Sequence, residues 1–303
     1  MGIKIIKRSG ELQEVCYEKI HYRIKKIVSD EKLGKLENVD YDIISRDVIS
    51  SVIDGISSTK LDEITANIAI GRYMDHPEYG VLASRILISN AHKNTTECFS
   101  SVMESLYDSV SEDGQPISLL SDTFIESVRK HKNKINSAIK YQRDYLFDYF
   151  GYSTLEGSYL LKKYVKIGDT FKQIVVERPQ HMWMRVAIQL HPECIENAIK
   201  TYDLLSQFYY THASPTLFNA GTRSPQLASC FTLDVQDSMH EIYDALTNCA
   251  LISKNAGGIG FSVSKVRGNN SFIKGTNGRS EGIVKMLKVF NETAKFSNQG
   301  SKR

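Results

Sequence analysis

Cysteine is scarce in this chain, and the cysteines that are present are scattered. The 303 residues contain five of them, none in a C-x-x-C pair: Cys16, Cys98, Cys194, Cys230 and Cys249. This spacing excludes a disulfide-stabilised scaffold, a zinc ribbon and a thioredoxin-type redox pair. We therefore expect no metal site in the chain and a reduced, cytoplasmic location.

Long apolar runs are missing as well. Charged residues interrupt every apolar stretch well before the roughly 18 residues that a membrane span requires. Residues 1–8 lack the apolar core of a signal peptide, so we expect no contact with a membrane. A hydrophobic content of 41% and a charged content of 24% are globular values. The length suggests two domains, at about 150 residues each.

The small net charge of +3 hides an uneven distribution. Residues 265–303 contain nine Lys or Arg and two acidic residues, a formal charge of +7, which leaves −4 on the first 264 residues. A solvated basic face would explain this segment, and so would a polyanionic ligand. Its glycines favour phosphate binding, because glycine lets backbone N–H groups turn toward an anion. The clearest candidate is the run 275–280, Gly-Thr-Asn-Gly-Arg-Ser, where glycine, amide and Arg occur together.

The first hundred residues predict a short hairpin on a small helical bundle. Residues 3–17 read as two short strands around a turn. Apolar residues at helical spacing then predict helices, one of which runs over 42–54 and ends at Gly55. Thr59-x-x-Asp62 is close to a capping box and predicts the start of the next helix.

The middle of the chain is predicted to be helical, and the last third has a different pattern. A polar stretch over 109–121 predicts a linker, and helices are predicted over 180–190 and 192–212. From residue 213 onward, short apolar runs alternate with one helix, over about 238–254, and with glycine-rich turns. This βαβ pattern predicts a parallel sheet or barrel.

Two groups of residues could carry chemistry. Lys7-Arg8 and Lys19 flank the first hairpin and could bind a triphosphate, although by themselves they are better explained as an exposed basic hairpin edge that prevents aggregation. Cys230 lies in an apolar run that predicts a buried strand, where a lone cysteine is usually a small hydrophobic residue. Cys249, in the middle of a predicted helix, is expected in the core.

Longer motifs carry a resemblance to a known family. The segments are THASPTLFNAGT at 211–222, LASCF at 227–231, ISKNAGGIG at 252–260, GTNG at 275–278 and NQG at 298–300. In this order they resemble the large (α) subunit of class I ribonucleotide reductase, and residues 1–95 are similar to that family's ATP-cone. The resemblance covers essentially the whole chain and is most specific from residue 211 onward.

The resemblance implies a mixed α/β fold with three parts. They are an ATP-cone over 1–95, a helical region over 96–212, and the first part of a ten-stranded α/β barrel over 213–303. It also implies radical-based reduction of ribonucleoside diphosphates to deoxyribonucleoside diphosphates for DNA synthesis, under allosteric control by ATP and deoxynucleoside triphosphates.

The same resemblance implies roles for individual residues. Cys230 matches one of two redox-active thiols, which revises the interpretation of this residue as a hydrophobic one. Ser214 and Ser229 match contacts to the substrate diphosphate. An allosteric specificity site is implied for Asp237, Ser238, Met239, Lys254, Arg267, Lys274 and Gly275. An activity site for ATP or dATP is implied for Lys7, Arg8, Gln13, Lys19, Ser58 and Asp62.

The resemblance also implies partners, and the sequence differs from the family's usual pattern in two places. It implies a homodimer, a separate metal-containing small subunit that supplies the radical, thioredoxin or glutaredoxin as reductant, no covalently bound cofactor and no nucleic acid. The segment 295–303 is about one residue shorter than the family's usual loop, and Lys274 replaces a residue that is often small. The radical-bearing cysteine and the second redox cysteine are expected beyond Arg303, so the chain alone is expected to be inactive.

Two alternatives from other functional classes stay open at this point. One is a nucleotide-binding regulatory module without catalytic activity. The other is a nucleic-acid-binding protein that uses the basic segment 265–303. Salt-dependent DNA binding without nucleotide selectivity would favour this alternative.

Overall fold

A computed structural model describes residues 3–254 and 257–297 of the chain. These residues form two compact units that meet in sequence between Tyr210 and Thr211. Each unit is described by itself. None of the helices within the described ranges is long and apolar enough to cross a membrane.

The first unit is mainly helical, with a three-stranded sheet near its start and a hairpin near its end. Its elements are β1 (Lys4–Ile6), β2 (Leu12–Glu14), α1 (Tyr17–Val28), α2 (Tyr41–Ser50), β3 (Ile56–Ser57), α3 (Ser58–Gly71), α4 (Glu78–Asn94), α5 (Phe99–Tyr107), α6 (Asp122–Ala138), a 3₁₀ helix (Tyr141–Leu146), α7 (Tyr149–Thr154) with a π-helical turn (Leu155–Tyr159), β4 (Lys162–Ile167), β5 (Thr170–Val175), α8 (Pro179–Leu190) and α9 (Ile195–Ser206).

The small sheet has the order β2-β1-β3 and confirms the predicted hairpin. Strands β1 and β2 are antiparallel, whereas β1 and β3 are parallel, with Ile6 opposite Ser57. Because parallel strands end at the same edge of a sheet, the residues that follow β1 lie beside the start of α3. The sheet therefore brings Lys7 and Arg8 to the first turn of a helix more than fifty residues away in sequence.

Helices α1 to α4 pack around one apolar core. Ile24, Ile44, Val48 and Leu82 are almost completely buried there, at the helical spacing that the sequence shows. The prediction for the second helix was wrong at its end, because α2 stops at Ser50 and not near residue 54.

Gly55 has a different role from the predicted helix end. Its φ of +76° forms the turn into β3, and its N–H donates to the carbonyl of Lys4 at 2.8 Å. The turn thus serves strand pairing, which a local helix pattern does not reveal.

The predicted capping box was also wrong. Ser57 caps α3, since its Oγ accepts a hydrogen bond from the N–H of Lys60 at 3.1 Å. Asp62 therefore lies within the helix, and its carboxylate is available for contacts away from the helix end.

Other boundaries in the first unit differ from the sequence predictions. The polar stretch over 109–121 is a compact turn within the unit, where Val110 bridges Pro116 and Leu120 is fully buried. Helix α9 is shorter than the predicted 192–212 at both ends. The hairpin β4–β5 was not predicted, because its strands mix lysine, tyrosine and apolar residues without strict alternation.

The second unit confirms the predicted βαβ arrangement. Its elements are α10 (Ser214–Asn219), β6 (Cys230–Asp234), α11 (Met239–Lys254), β7 (Gly258–Ser262), β8 (Phe272–Ile273), β9 (Gly278–Arg279) and α12 (Ile283–Ser297). Strands β6 and β7 are parallel, and β8 and β9 are antiparallel. These two pairs do not close into a barrel within the described residues of the unit.

The connection from α11 to β7 requires a glycine. A Cβ on Gly257 would lie 2.7 Å from Cγ2 of Ile252 and 2.8 Å from the ring of Phe231. This close approach lets the end of α11 and the start of β7 pack against β6. The core below contains Val235, Cys249 and Phe290, which confirms the expectation that Cys249 is buried.

Candidate functional site

The first unit contains a cavity of about 160 Å³ whose lining includes five cationic side chains, and we call it the cation pocket. All six residues predicted for the activity site line it: Lys7, Arg8, Gln13, Lys19, Ser58 and Asp62. Arg23 on α1 and Lys93 on α4 line it as well. The sequence interpretation missed these two. Arg23 lies one helical turn after Lys19, a spacing that would have suggested it.

Asp62 is the point on which the cations converge. Its carboxylate is buried and accepts hydrogen bonds from Arg8 Nη2 at 3.1 Å and Arg23 Nε at 2.7 Å. Lys93 Nζ lies 3.7 Å from the same group. Charge-assisted bonds of this kind stabilise a carboxylate that would otherwise be costly to bury.

The pocket nevertheless keeps an excess of positive charge. Five cationic side chains line it, against the two carboxylates of Glu14 and Asp62. Arg23 Nη2 is also buried without a hydrogen-bond partner among the described residues. An unpaired buried donor is costly, and an anionic ligand would satisfy it.

The environment of the pocket changes the pKa of Lys93. Burial lowers the pKa of its amine from 10.5 to about 8; Asp62 opposes the shift, and the nearby Arg23 and Arg8 add to it. The amine is therefore only partly protonated at slightly alkaline pH. A phosphate beside it would favour the protonated form.

The second unit contains a larger cavity of about 590 Å³ between α11 and α12, which we call the α11–α12 pocket. Asp237, Ser238, Met239 and Arg267 line it together with apolar side chains of both helices. An adjoining cavity of about 410 Å³ shares Asp237 and Arg267 and adds Lys274 and Gly275. The structure thus brings six of the seven residues predicted for the specificity site together.

Lys254 is the seventh residue. It is the exposed last residue of α11 and lines neither cavity. Of the segment 295–303 that resembles a loop, residues 295–297 form the end of α12, and 298–303 lie outside the described residues.

Asp237 and Arg267, which line both cavities, form an ion pair. The carboxylate accepts from Arg267 Nε at 2.8 Å and from its backbone N–H at 3.2 Å. Ser238 caps α11, because its Oγ accepts from the N–H of Glu241 at 3.2 Å. Arg267 would have to change partners, or share them, in order to contact a phosphate.

Cys230 is exposed and is the first residue of β6, so the prediction of a buried strand cysteine was wrong. It lies opposite Gly258 of β7, and its Sγ is 3.6 Å from Ser229 Oγ. The strand alternates exposed and half-buried residues, and the first fully buried residue, Val235, follows its end. Ser214 begins α10 in the same unit.

Comparisons with known proteins agree with this arrangement. Three family models match in sequence order: an ATP cone domain over 3–94, the all-alpha domain of ribonucleotide reductase over 145–225, and its barrel domain over 228–303. The chain is 46% identical over 301 residues to the ribonucleoside-diphosphate reductase large subunit of Monkeypox virus, a match that covers 99% of this chain and 38% of that protein. The chain belongs to the ribonucleotide reductase large-subunit family.

Other members of the ribonucleotide reductase family match over the same span. The large chain of Schizosaccharomyces pombe is 44% identical, with 99% of this chain and 36% of that protein covered. The large subunit of Arabidopsis thaliana is also 44% identical, with 98% and 35% covered. The chain thus spans little more than a third of the length of these relatives. The cation pocket lies within the ATP-cone match, and the α11–α12 pocket lies within the barrel match.

The environment of Lys93 gives a prediction that needs no ligand. In Asp62→Asn the pKa of Lys93 should fall from about 8 to a lower value. The negative charge of Asp62, which favours the protonated amine, is removed, while the positive charges of Arg8 and Arg23 remain. NMR titration of isotopically labelled lysine would measure this. Glu63→Gln on the same helix is the control, since Glu63 pairs with Lys60. An unchanged or raised Lys93 pKa in Asp62→Asn would contradict the assignment.

Proposed function

We propose that the chain is the N-terminal portion of a ribonucleoside-diphosphate reductase large subunit, and that its cation pocket binds ATP or dATP as allosteric effectors. The observation that carries the effector site is that all six residues predicted from the sequence, including the buried Asp62, line one cavity in the ATP-cone segment. The relatives' names support the activity of the complete subunit.

The chemistry of the cation pocket suits a nucleoside triphosphate. Its excess of cations and the unpartnered Nη2 of Arg23 favour a polyanion. The same cavity has an apolar side, formed by Ile5, Val15, Ile20 and Leu61, against which a base or sugar can pack. A simple inorganic anion would leave that apolar side unused.

The first test is nucleotide binding by the 303-residue chain. Calorimetry should show binding of ATP or dATP that weakens about tenfold or more in Lys7→Ala, because a charge-assisted contact contributes roughly 1.5–3 kcal/mol. Lys35→Ala is the matched control, since Lys35 is exposed, pairs with Glu37 and does not line the cation pocket. A folded chain that binds no adenine nucleotide would overturn the effector site.

We further propose that the α11–α12 pocket and the adjoining cavity form the specificity site for a deoxynucleoside triphosphate or ATP. Arg267 and Lys274 would contact phosphates, and Asp237 would contact the sugar or base. Their shared cavity and the glycine at 275 support this assignment. The expected homodimer would supply further contacts.

Arg267→Ala should weaken dTTP binding by about tenfold or more, for the same reason of lost charge-assisted contacts. The measurement belongs on the full-length subunit, where a dimer can form. Arg279→Ala is the control, because Arg279 is a nearby cation that donates to the carbonyl of Asn270 and lines neither cavity. Unchanged dTTP affinity in Arg267→Ala would remove Arg267 from the site.

Cys230 is proposed as one thiol of the pair that reduces the substrate. The two thiols together deliver two electrons and two protons: the bond from the 2′ carbon to oxygen breaks, water leaves, and a disulfide forms. Thioredoxin or glutaredoxin then reduces that disulfide, and a separate metal-containing small subunit supplies the radical that starts the reaction. The exposure of Cys230 supports the role, because a buried thiol could reach neither substrate nor partner.

In an enzyme assembled from this chain, the rest of a large subunit and a small subunit, Cys230→Ser should abolish sustained reduction of a ribonucleoside diphosphate, since no disulfide can form. Chromatographic measurement of the deoxynucleotide product tests this. Cys194→Ser, a partly exposed cysteine of the first unit, should turn over normally. Wild-type turnover by Cys230→Ser would exclude the proposed role.

A further inference from the structure

The last turn of α4 faces the cation pocket on one side. Arg8 Nε donates to Asn94 Oδ1 at 2.7 Å, and Arg8 also contacts the amide oxygen of Asn90. Lys93, on the same turn, lies beside Asp62. Residues three and four apart share a helix face, so Asn90, Lys93 and Asn94 lie on one side of α4. Lys93 lines the pocket there, and the two amides bind Arg8, which lines it too.

The same turn is bound to a different part of the unit through His92. Its Nε2 lies 2.7 Å from Oδ2 of Asp144, a fully buried residue of the 3₁₀ helix. The other oxygen of Asp144 accepts from the backbone N–H of Gln180, in the first turn of α8, at 3.2 Å. One buried carboxylate therefore joins α4 to α8.

Arg178 provides a second connection between these helices. It is the residue before α8, and its Nη2 donates to the carbonyls of His92 and Thr95, each at 3.0 Å. Its Nε donates to Thr95 Oγ1 at 2.9 Å. The carbonyls at a helix end lack partners within the helix, and a cation suits them. The start of α8 thus caps the end of α4.

We propose that the last turn of α4 couples nucleotide occupancy of the cation pocket to the start of α8, with His92 as the positioning residue. The inference rests on the proposed nucleotide site. Phosphates compete with Asp62, Asn90 and Asn94 for Arg8 and Lys93. Because the same turn is bound to Asp144 and Arg178, rearrangement on the pocket side alters the bonds on the α8 side.

The coupling has a thermodynamic consequence that can be measured. If the bonds between this turn and α8 are stronger when the pocket is occupied, then removing them must weaken nucleotide binding, because coupling between two sites is reciprocal. Freeing the turn leaves Lys93, Asn90 and Asn94 unordered before binding. Nucleotide binding must then order these side chains, and the entropy lost in doing so lowers the affinity.

The experiment uses the 303-residue chain with three readouts: the ATP dissociation constant by calorimetry, amide hydrogen exchange over 178–184, and tryptophan fluorescence. Trp183 is the chain's one tryptophan, and it is buried on α8. The amide of Gln180 reports its own bond to Asp144. We expect ATP to change both α8 signals in the wild-type protein.

In His92→Leu the α8 response to ATP should be lost, and ATP binding should weaken by at least about fivefold. His92→Gln, which keeps an N–H donor on the side chain, should restore both. In Thr95→Val, a valine of nearly the same shape as threonine removes the hydroxyl that accepts from Arg178. This variant should lower both the α8 response and the ATP affinity in part. The control is His191→Leu, which deletes a comparable imidazole hydrogen bond, to Thr201 Oγ1 at 2.8 Å. It should change neither the α8 response nor the ATP affinity.

The outcomes separate this inference from the proposed function. If wild-type protein binds ATP without any change at 178–184 or Trp183, the coupling is overturned and the effector site stands. A full α8 response with wild-type affinity in His92→Leu or Thr95→Val overturns it as well. If the wild-type protein binds no ATP, the effector site fails, and the coupling fails with it.

Discussion

The buried charge of Asp62 joins the elements that form the cation pocket. Arg8 from the end of β1, Arg23 from α1 and Lys93 from α4 all approach this one carboxylate. Without it these cations would repel one another in a partly desolvated space, where charge interactions are stronger than in water. One carboxylate can balance only part of their charge, so the arrangement stabilises the pocket and keeps its attraction for a polyanion.

The second unit depends on close backbone approach. The missing side chain of Gly257 lets α11 return onto the parallel pair β6–β7. That pairing sets Cys230 opposite Gly258, at the exposed start of β6. The ion pair of Asp237 and Arg267 joins the segment that leads into α11 to the segment after β7, and both residues line the cavities there.

Local patterns predicted the elements whose determinants are local. The first hairpin, the helix predicted over 180–190 and the βαβ arrangement were all recognised from the sequence. The end of α2 and the cap of α3 were not, because Gly55 and Ser57 serve pairing between strands far apart in the chain. The hairpin β4–β5 has no clean alternation to recognise.

The sequence by itself indicated the family, the helical faces and some of the polar residues that line each pocket, because motifs and periodicity are properties of neighbouring positions. Only the tertiary structure decided which charges meet. Arg23 and Asp62 are 39 positions apart, and Arg178 reaches a carbonyl 86 positions away. The depressed pKa of Lys93 and the link from His92 to α8 arise from distances through space, and no local pattern contains those distances.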